Sequence, residues 1–143
     1  MAQKAQTFQN HTRLDPVFHL FLGPLSFILF IGAVTSFIRT MSWTTGFQVL
    51  AAIWAVVATF KIRLYALKVQ DRVIRLEERL RMQELFREPL KSRIGEFSES
   101  QLIALRFASD AELPALAEKT LAGLTQKQIK AAIQIWRPDY FRV

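Results

Sequence analysis

The chain of 143 residues contains no cysteine and only two histidines, His11 and His19. Without cysteine there can be no disulfide, no thiolate nucleophile and no cysteine metal site. The two histidines are separated by a segment that contains Pro16, which is no recognised spacing for metal ligands, so we expect no metal site. The sequence also lacks a phosphate-binding glycine loop, an HExxH motif and a nucleophile elbow. We therefore expect no catalytic residue, no bound cofactor and no enzymatic activity.

Formal charge is absent from two long stretches, residues 16–38 and 40–60. Each is long enough to cross a bilayer as a helix, which needs about 20 residues. The break between them, from Arg39 to Trp43, allows only a tight reversal, so the spans would be antiparallel neighbours. The sequence thus predicts an all-α fold with a transmembrane helical hairpin over residues 16–60, its spans at about 16–38 and 43–60. A signal peptide and a soluble helical core are weaker alternatives, because two such runs follow each other directly.

The net charge of +7 is unevenly distributed, with the basic excess in residues 61–95 and a smaller one in the N-terminal tail, residues 1–15. Arg39 is the only charge in the reversal. By the positive-inside rule both termini should be cytoplasmic. The basic stretch suits the anionic surface of the cytoplasmic leaflet. Nucleic acid is not an expected partner, since carboxylates are interleaved with the arginines and no nucleic-acid-binding motif surrounds them.

Small and aromatic residues suggest how the spans would pack and where they would meet the membrane surface. In lipid, helices associate through close packing of small side chains. We predict span packing through Gly32 and Ser36 on the first helix and Ala51 and Ala55 on the second. Interface anchors are expected at Trp43 and Tyr65. Neither span has an ionisable residue at depth, which disfavours ion or proton transport.

No glycine or proline occurs between Phe47 and Glu88, so the second span is predicted to continue as a basic cytoplasmic stalk helix over residues 61–95. Apolar residues recur along it at alternating spacings of three and four, which is typical of a seam that packs against another helix. The residues of this stalk seam are Ala66, Val69, Val73, Leu76 and Leu80.

Residues 96–143 are predicted to form three short amphipathic helices, each opened by a capping box. The boxes pair Ser98 with Gln101, Ser109 with Glu112, and Thr125 with Gln128, and the last helix is expected to extend to Trp136. So short a region has too little core to be stable alone. It either folds back on the stalk seam or packs on a second protein, and the residue pattern does not choose between these.

Three segments together resemble a known family. They are Asn10-His11-Thr12-Arg13 with Pro16, Phe18 and His19; RLYALKVQDRVIRLEERLR from Arg63 to Arg81; and QLIALRFASDAELPAL from Gln101 to Leu116. They are similar to an uncharacterised family of small bacterial two-span membrane proteins, a domain of unknown function, over nearly the whole chain. The resemblance implies a bacterial inner-membrane location and assigns no binding residues. A candidate partner contact is the polar N-terminal motif, through His11, Arg13 and His19.

The function expected from these features is that of an accessory, scaffold or interaction subunit that acts through its cytoplasmic helices. A protein partner or a homo-oligomer is therefore expected, besides the lipid bilayer. The alternative is a homo-oligomeric channel, for which Thr35, Ser36, Gln48 and Thr59 would provide few polar groups. A lipid-interacting enzyme is a third and weaker possibility.

Overall fold

The computed structural model describes residues 6–10 and 14–139. Within these ranges the regular structure is entirely helical, apart from an isolated antiparallel bridge between Ala108 and Trp136, which confirms the all-α prediction. A π-helical turn, Val17–Leu22, leads into α1, Gly23–Thr40. It is followed by α2, Trp43–Leu85, a 3-10 turn, Lys91–Glu96, and three short helices: α3, Glu99–Leu105; α4, Leu113–Leu121; and α5, Gln126–Ala132.

The chain divides into two compact units. The hairpin unit is Arg13–Lys68, and the helical unit combines Met1–Thr12 with Val69–Arg142. Two helical segments, Val17–Thr40 and Trp43–Leu85, are long and apolar enough to cross a membrane by length and composition. Except for Pro16, their bounds include the two predicted spans, although the first segment begins as a π-helix.

The π-helical turn has a local cause in the sequence. Pro24 at the second position of α1 has no N–H and would clash with the carbonyl four residues earlier in a regular α-helix. The widened turn lets Gly23 donate to the carbonyl of Phe18, five residues back. An added Cβ at Gly23 would lie 3.1 Å from that carbonyl oxygen, so glycine suits this position.

The reversal between α1 and α2 is as tight as predicted. Met41 ends α1 in the left-handed conformation, with φ at 41°, and donates its N–H to Phe37 O. Ser42 and Thr45 then cap α2 reciprocally, because each accepts the other's backbone N–H on its hydroxyl at 3.2 Å. Local hydrogen bonds that cap the end of α1 and the start of α2 therefore stabilise the turn.

The stalk helix is shorter than predicted, because α2 ends at Leu85 and not near residue 95. Pro89 follows Glu88 in a cis peptide, and its missing N–H prevents continuation of the helix. The chain then turns through the 3-10 segment into α3.

The helical unit has one hydrophobic core, to which the end of α2 and all three short helices contribute. Its buried members are Met82, Phe86, Leu90, Ile94, Phe97, Leu102, Ala104, Leu105, Phe107, Ala108, Leu113, Leu116, Ala117, Ile129 and Ile133. The short helices thus do fold back on α2. They do so on the face that carries Ile74 and Met82, together with Phe86 just beyond the helix, and not on the predicted seam.

Two of the three predicted capping boxes are present in full, at Ser98 with Gln101 and at Thr125 with Gln128. The third prediction was only half right. Ser109 donates its N–H to Glu112, but α4 begins at Leu113 without a side-chain cap, with Pro114 at its second position. Proline is favoured there because the first turn of a helix does not use its N–H groups.

The last helix is also shorter than the sequence predicted. It ends at Ala132, and Ile133 is extended, with ψ at 123°. The following residues pair with the segment after α3, since Arg137 donates to Phe107 O at 2.7 Å and Ser109 donates to Ile135 O at 3.1 Å. Backbone pairing with a distant segment here replaced the next helical turn.

Candidate interaction site

A polar and aromatic cluster lies where the start of the first helix packs against the middle of α2, at the end of the hairpin unit away from the Met41–Ser42 turn. We call Asp15, Phe18, His19, Phe60 and Arg63 the base cluster. One carboxylate oxygen of Asp15 accepts the N–H groups of Val17 and Phe18, at 3.1 and 3.3 Å, and so caps the first helix. Its other oxygen lies 3.4 Å from Arg63 Nη1. Asp15 thus fixes the start of one helix and neutralises a charge on the other.

The aromatic members of the base cluster shield this ion pair. The Phe18 ring packs edge-on against Phe60, with centroids 5.6 Å apart, and the Arg63 guanidinium lies 5.6 Å from the centre of the Phe18 ring. The side chains of Arg63 and Asp15 keep only 11% and 29% of their exposure. An ion pair in such an environment is screened less than a surface pair.

His19 is the exposed polar member of the base cluster. Its Nδ1 lies 2.8 Å from the carbonyl oxygen of Asp15, which can only accept, so Nδ1 carries the proton. Nε2 is then the ring atom left to accept a hydrogen bond. The other predicted contact residues, His11 and Arg13, lie outside the described residues.

The spans pack differently from the prediction. Gly32 is exposed, nothing lies within 4 Å of a Cβ added to it, and Ala51 is exposed as well. Ser36 and Ala55 are half-buried. Phenylalanine rings occupy the space between the helices, since Phe60 packs against Phe27 as well as Phe18. With rings filling that space, close backbone approach at Gly32 is not needed.

On α2 the inward positions recur at spacings of four and three, one place away from the predicted alanine row. They are Thr45, Val49, Ala52, Val56, Thr59 and Arg63. Gly46 also faces α1, because its added Cβ would lie 3.5 Å from the Phe37 ring.

Both predicted interface anchors are exposed aromatic residues. Trp43 retains 91% of its surface at the start of α2. Tyr65 retains 56%, and the ammonium of Lys61 lies 5.6 Å from the centre of its ring. Neither side chain is needed for packing within the hairpin unit.

The stalk seam is the second candidate surface, and most of it is uncovered. Val69, Val73, Leu76 and Leu80 keep 64%, 48%, 60% and 52% of their surface, and Ala66 is half-buried. An α-helix advances 100° per residue, which places these four residues opposite the core face that includes Ile74 and Met82. The core of the helical unit therefore leaves the seam free.

A buried ionic network lies on the core face, and sequence reasoning did not find it. Glu78 is 4% exposed, and its carboxylate lies 3.0 Å from Arg81 Nη1 and 3.5 Å from Arg137 Nη1. Burial raises the pKa of the Glu78 carboxyl above its ordinary value, and the two guanidinium groups offset only part of that rise. Arg81 also donates to Asp110 and to the carbonyl of Ala108, each at 2.7 Å.

One signal could have indicated that Glu78 is buried, although not which residues surround it. Glu78 lies four residues from both Ile74 and Met82, so a carboxylate stands in the middle of an apolar row. Because Arg81 and Arg137 hold both of its oxygens, Glu78 is arranged to join α2 to the C-terminal segment rather than to exchange protons with a substrate.

The C-terminal segment is held by two further polar contacts within the helical unit. The Glu112 carboxylate accepts the backbone N–H groups of Ser109, Gln134 and Ile135 at 3.1 to 3.3 Å. The side-chain amide of Gln6 pairs with both backbone groups of Asp139, at 2.9 and 3.0 Å. Among residues 6–10 and 14–139, no three His, Asp or Glu side chains are grouped so that they could hold a metal ion.

One family model matches the chain from residue 1 to residue 143, and its description is a family of unknown function, DUF6526. The match confirms the resemblance to an uncharacterised family. No curated protein and no solved structure matches the chain.

Proposed function

The chain belongs to DUF6526, a family of unknown function, and from this premise we propose that it is a small integral membrane protein. Its hairpin unit anchors it in a bacterial inner membrane, and its helical unit acts in the cytoplasm as an accessory, scaffold or interaction subunit.

The outward surface of the hairpin unit is the observation that carries this proposal. Large apolar side chains on all sides of the paired helices are exposed, among them Leu20 at 79%, Ile38 at 68%, Leu50 at 64% and Trp54 at 73%. Soluble monomers rarely expose contiguous apolar patches of more than a few hundred Å². Helices, by contrast, satisfy their backbone internally and can present such side chains to lipid.

The helical unit supports a role outside the bilayer, because most of its apolar side chains are buried, whereas those of the hairpin unit are exposed. Apart from the stalk seam, most of them are collected in one core, and they are accompanied by the buried Glu78 network and by capped helix termini. A buried apolar core surrounded by exposed charged side chains is typical of a unit that folds in water.

The distribution of charge supports cytoplasmic termini. Arg39 is the only charge near the reversal, whereas Lys61, Arg63 and Lys68 follow the second span. In this orientation Trp43 lies at the far interface, and Tyr65 with Lys61 lies at the cytoplasmic one. The base cluster then lies at the cytoplasmic headgroups, where the exposed His19, with His11 and Arg13 nearby in sequence, would meet a partner.

A homo-oligomeric pore is less well supported. The hydroxyls of Ser26, Thr35 and Thr59 donate to carbonyls of their own helix at 2.8 to 2.9 Å. Side chains engaged in this way offer little to a hydrated ion path. Conductance measured after reconstitution in a planar bilayer would favour the pore over the accessory role.

Membrane insertion is tested by alkaline carbonate extraction of membranes from expressing cells. We expect the chain to stay in the pellet and to leave it only with detergent, and recovery in the soluble fraction without detergent would overturn the proposal.

Orientation is tested with reporters that are active only in the cytoplasm. Fusions to either terminus should both be active, and a fusion in the Met41–Ser42 turn is the opposite control. The partner contact is tested by mild-detergent purification of the wild type and of a triple variant with alanine at His11, Arg13 and His19. If the same proteins co-purify with both, the proposed partner contact is refuted.

A further inference from the structure

The exposed seam of α2 carries charges on both flanks in a regular order. In heptad terms, Val73 and Leu80 occupy a positions, and Val69 and Leu76 occupy d positions. The residues before the a positions are then Arg72 and Arg79, and those after the two d positions are Gln70 and Glu77. Glu84 follows Gln83, a polar residue at the next d position. One flank of the seam is basic and the other is mainly acidic.

These flanking charges form no ion pair within the part of the chain that the structure describes. Arg72, Arg79, Glu77 and Glu84 are all exposed, and none of them forms an ion pair with another residue of the described chain. The neighbouring Arg75 and Arg81 turn away from the seam, toward Glu99 and toward the Glu78 network. The seam and its charged borders are therefore available together.

From this arrangement we propose that the seam binds a second copy of this chain, with the two α2 helices parallel and in register. In a parallel pair, a g residue meets the e residue five positions later on the partner helix. Arg72 would then meet Glu77 of the second copy, and Arg79 would meet Glu84, on both sides of the seam. An antiparallel pair would instead set arginine against arginine and glutamate against glutamate, which is repulsive.

The seam covers only about two heptads, which is fewer than a coiled coil in solution usually needs. Membrane insertion, on which this inference rests, supplies what is missing. Copies inserted with one topology have their α2 helices running in the same direction. Confinement to one bilayer also raises the effective concentration of one seam for another. The proposed scaffold is then a two-fold dimer that presents two helical units.

The absence of cysteine allows a direct test, because a single introduced cysteine is the only thiol. Val69→Cys and Leu80→Cys are placed near the two ends of the seam, about 16 Å apart along the helix. Membranes carrying either variant are oxidised with copper phenanthroline. We expect each variant alone to form a covalent dimer. Lys68→Cys, which is exposed on α2 but outside the seam, is the matched control and should remain monomeric.

Different outcomes separate the possible occupants of the seam. Dimers formed only when Val69→Cys and Leu80→Cys are co-expressed would mean an antiparallel pair and would overturn the proposal. Absence of dimers from both variants, with their thiols blocked from a maleimide, would mean that another molecule covers the seam. Absence of dimers with reactive thiols would mean that nothing covers it. Each of these results also overturns the proposal.

Charge reversal tests the register. Arg72→Glu with Arg79→Glu, added to Leu80→Cys, should lower the dimer yield about tenfold, because four attractive pairs become repulsive. Glu77→Arg with Glu84→Arg should do the same. Co-expression of the two double variants should restore the yield, and failure to restore it would refute the register.

Carbonate extraction of the same membranes reports on anchoring separately. A chain that is pelleted but monomeric refutes the dimer alone, whereas a soluble chain refutes the proposed function.

Discussion

Glu78 and Arg81 lie one turn apart on α2 and form a 3.0 Å ion pair that is almost completely buried, with 5% and 11% of the two side chains exposed. The pair joins the end of α2 to the segments around Ala108 and Arg137. It stands on the opposite face of the helix from the seam. One helix therefore provides both the contact with the short helices of the helical unit and the surface proposed for dimerisation.

Removal of one partner from this pair should destabilise the helical unit strongly. Arg81→Met leaves a buried carboxylate with only the more distant Arg137, at 3.5 Å, and should cost about 3 kcal/mol. The double variant Glu78→Leu with Arg81→Met should cost less than the single one, because no unpaired charge remains. Hydrogen–deuterium exchange of peptides from α3 to α5, in the full chain in mild detergent, measures both losses. Equal protection in wild type and Arg81→Met would contradict this prediction.

The pH dependence of stability should carry the signature of Glu78. Burial raises the pKa of its carboxyl above the ordinary value of 4.5, so the folded chain holds this proton more tightly than the unfolded chain does. The resulting stabilisation is fully present below 4.5 and is lost as the pH rises through the folded pKa. The stability of the wild type relative to Glu78→Gln should therefore fall as the pH is raised from about 4 toward neutrality.

The Glu78→Gln variant removes this titration and leaves every other group in place, so the difference between the two proteins isolates it. Thermal unfolding midpoints of both proteins across that pH range provide the measurement. A wild-type midpoint that rises relative to the Glu78→Gln midpoint as the pH increases would contradict this prediction. It would mean that Arg81 and Arg137 outweigh burial and lower the pKa of Glu78.

The hairpin unit should respond differently to two equivalent glycine substitutions. Gly32→Leu places its side chain in open space and should leave the thermal stability in detergent unchanged. Gly46→Leu starts from a Cβ 3.5 Å from the Phe37 ring and should force that ring to move, at a cost of about 1–3 kcal/mol. Greater loss at Gly32 than at Gly46 would restore the small-residue packing predicted from the sequence.

Two substitutions at Asp15 separate its roles. Asp15→Asn keeps an oxygen that can accept from Val17 and Phe18 but removes the ion pair with Arg63. Because this pair is shielded, the loss should exceed the ~1 kcal/mol of an exposed surface pair. Asp15→Ala removes the cap as well and should cost about 1 kcal/mol more. Exchange of amides in the Val17–Leu22 turn reports the difference. If both variants lose protection equally, the cap contributes nothing.

Local signals predicted much of this fold correctly. The uncharged runs on either side of Arg39 correspond to the two long apolar helices, since length and polarity alone decide which segments can be such helices. Ser98 with Gln101 and Thr125 with Gln128 cap helices because a capping box involves only residues three apart. The contact pattern of the spans was less predictable, because a row of small residues competes with phenylalanines whose position depends on both helices.

Sequence alone determined the all-helical class, the two apolar helices, the tight reversal and the order of the short helices, because each depends on neighbours along the chain. Only the tertiary structure decided which face of α2 the short helices cover, where α5 ends and what surrounds Glu78. Those features depend on segments far apart in the chain, such as Arg137 with Phe107 or Glu112 with Gln134. Their contacts exist only once the core has formed, so no local pattern encodes them.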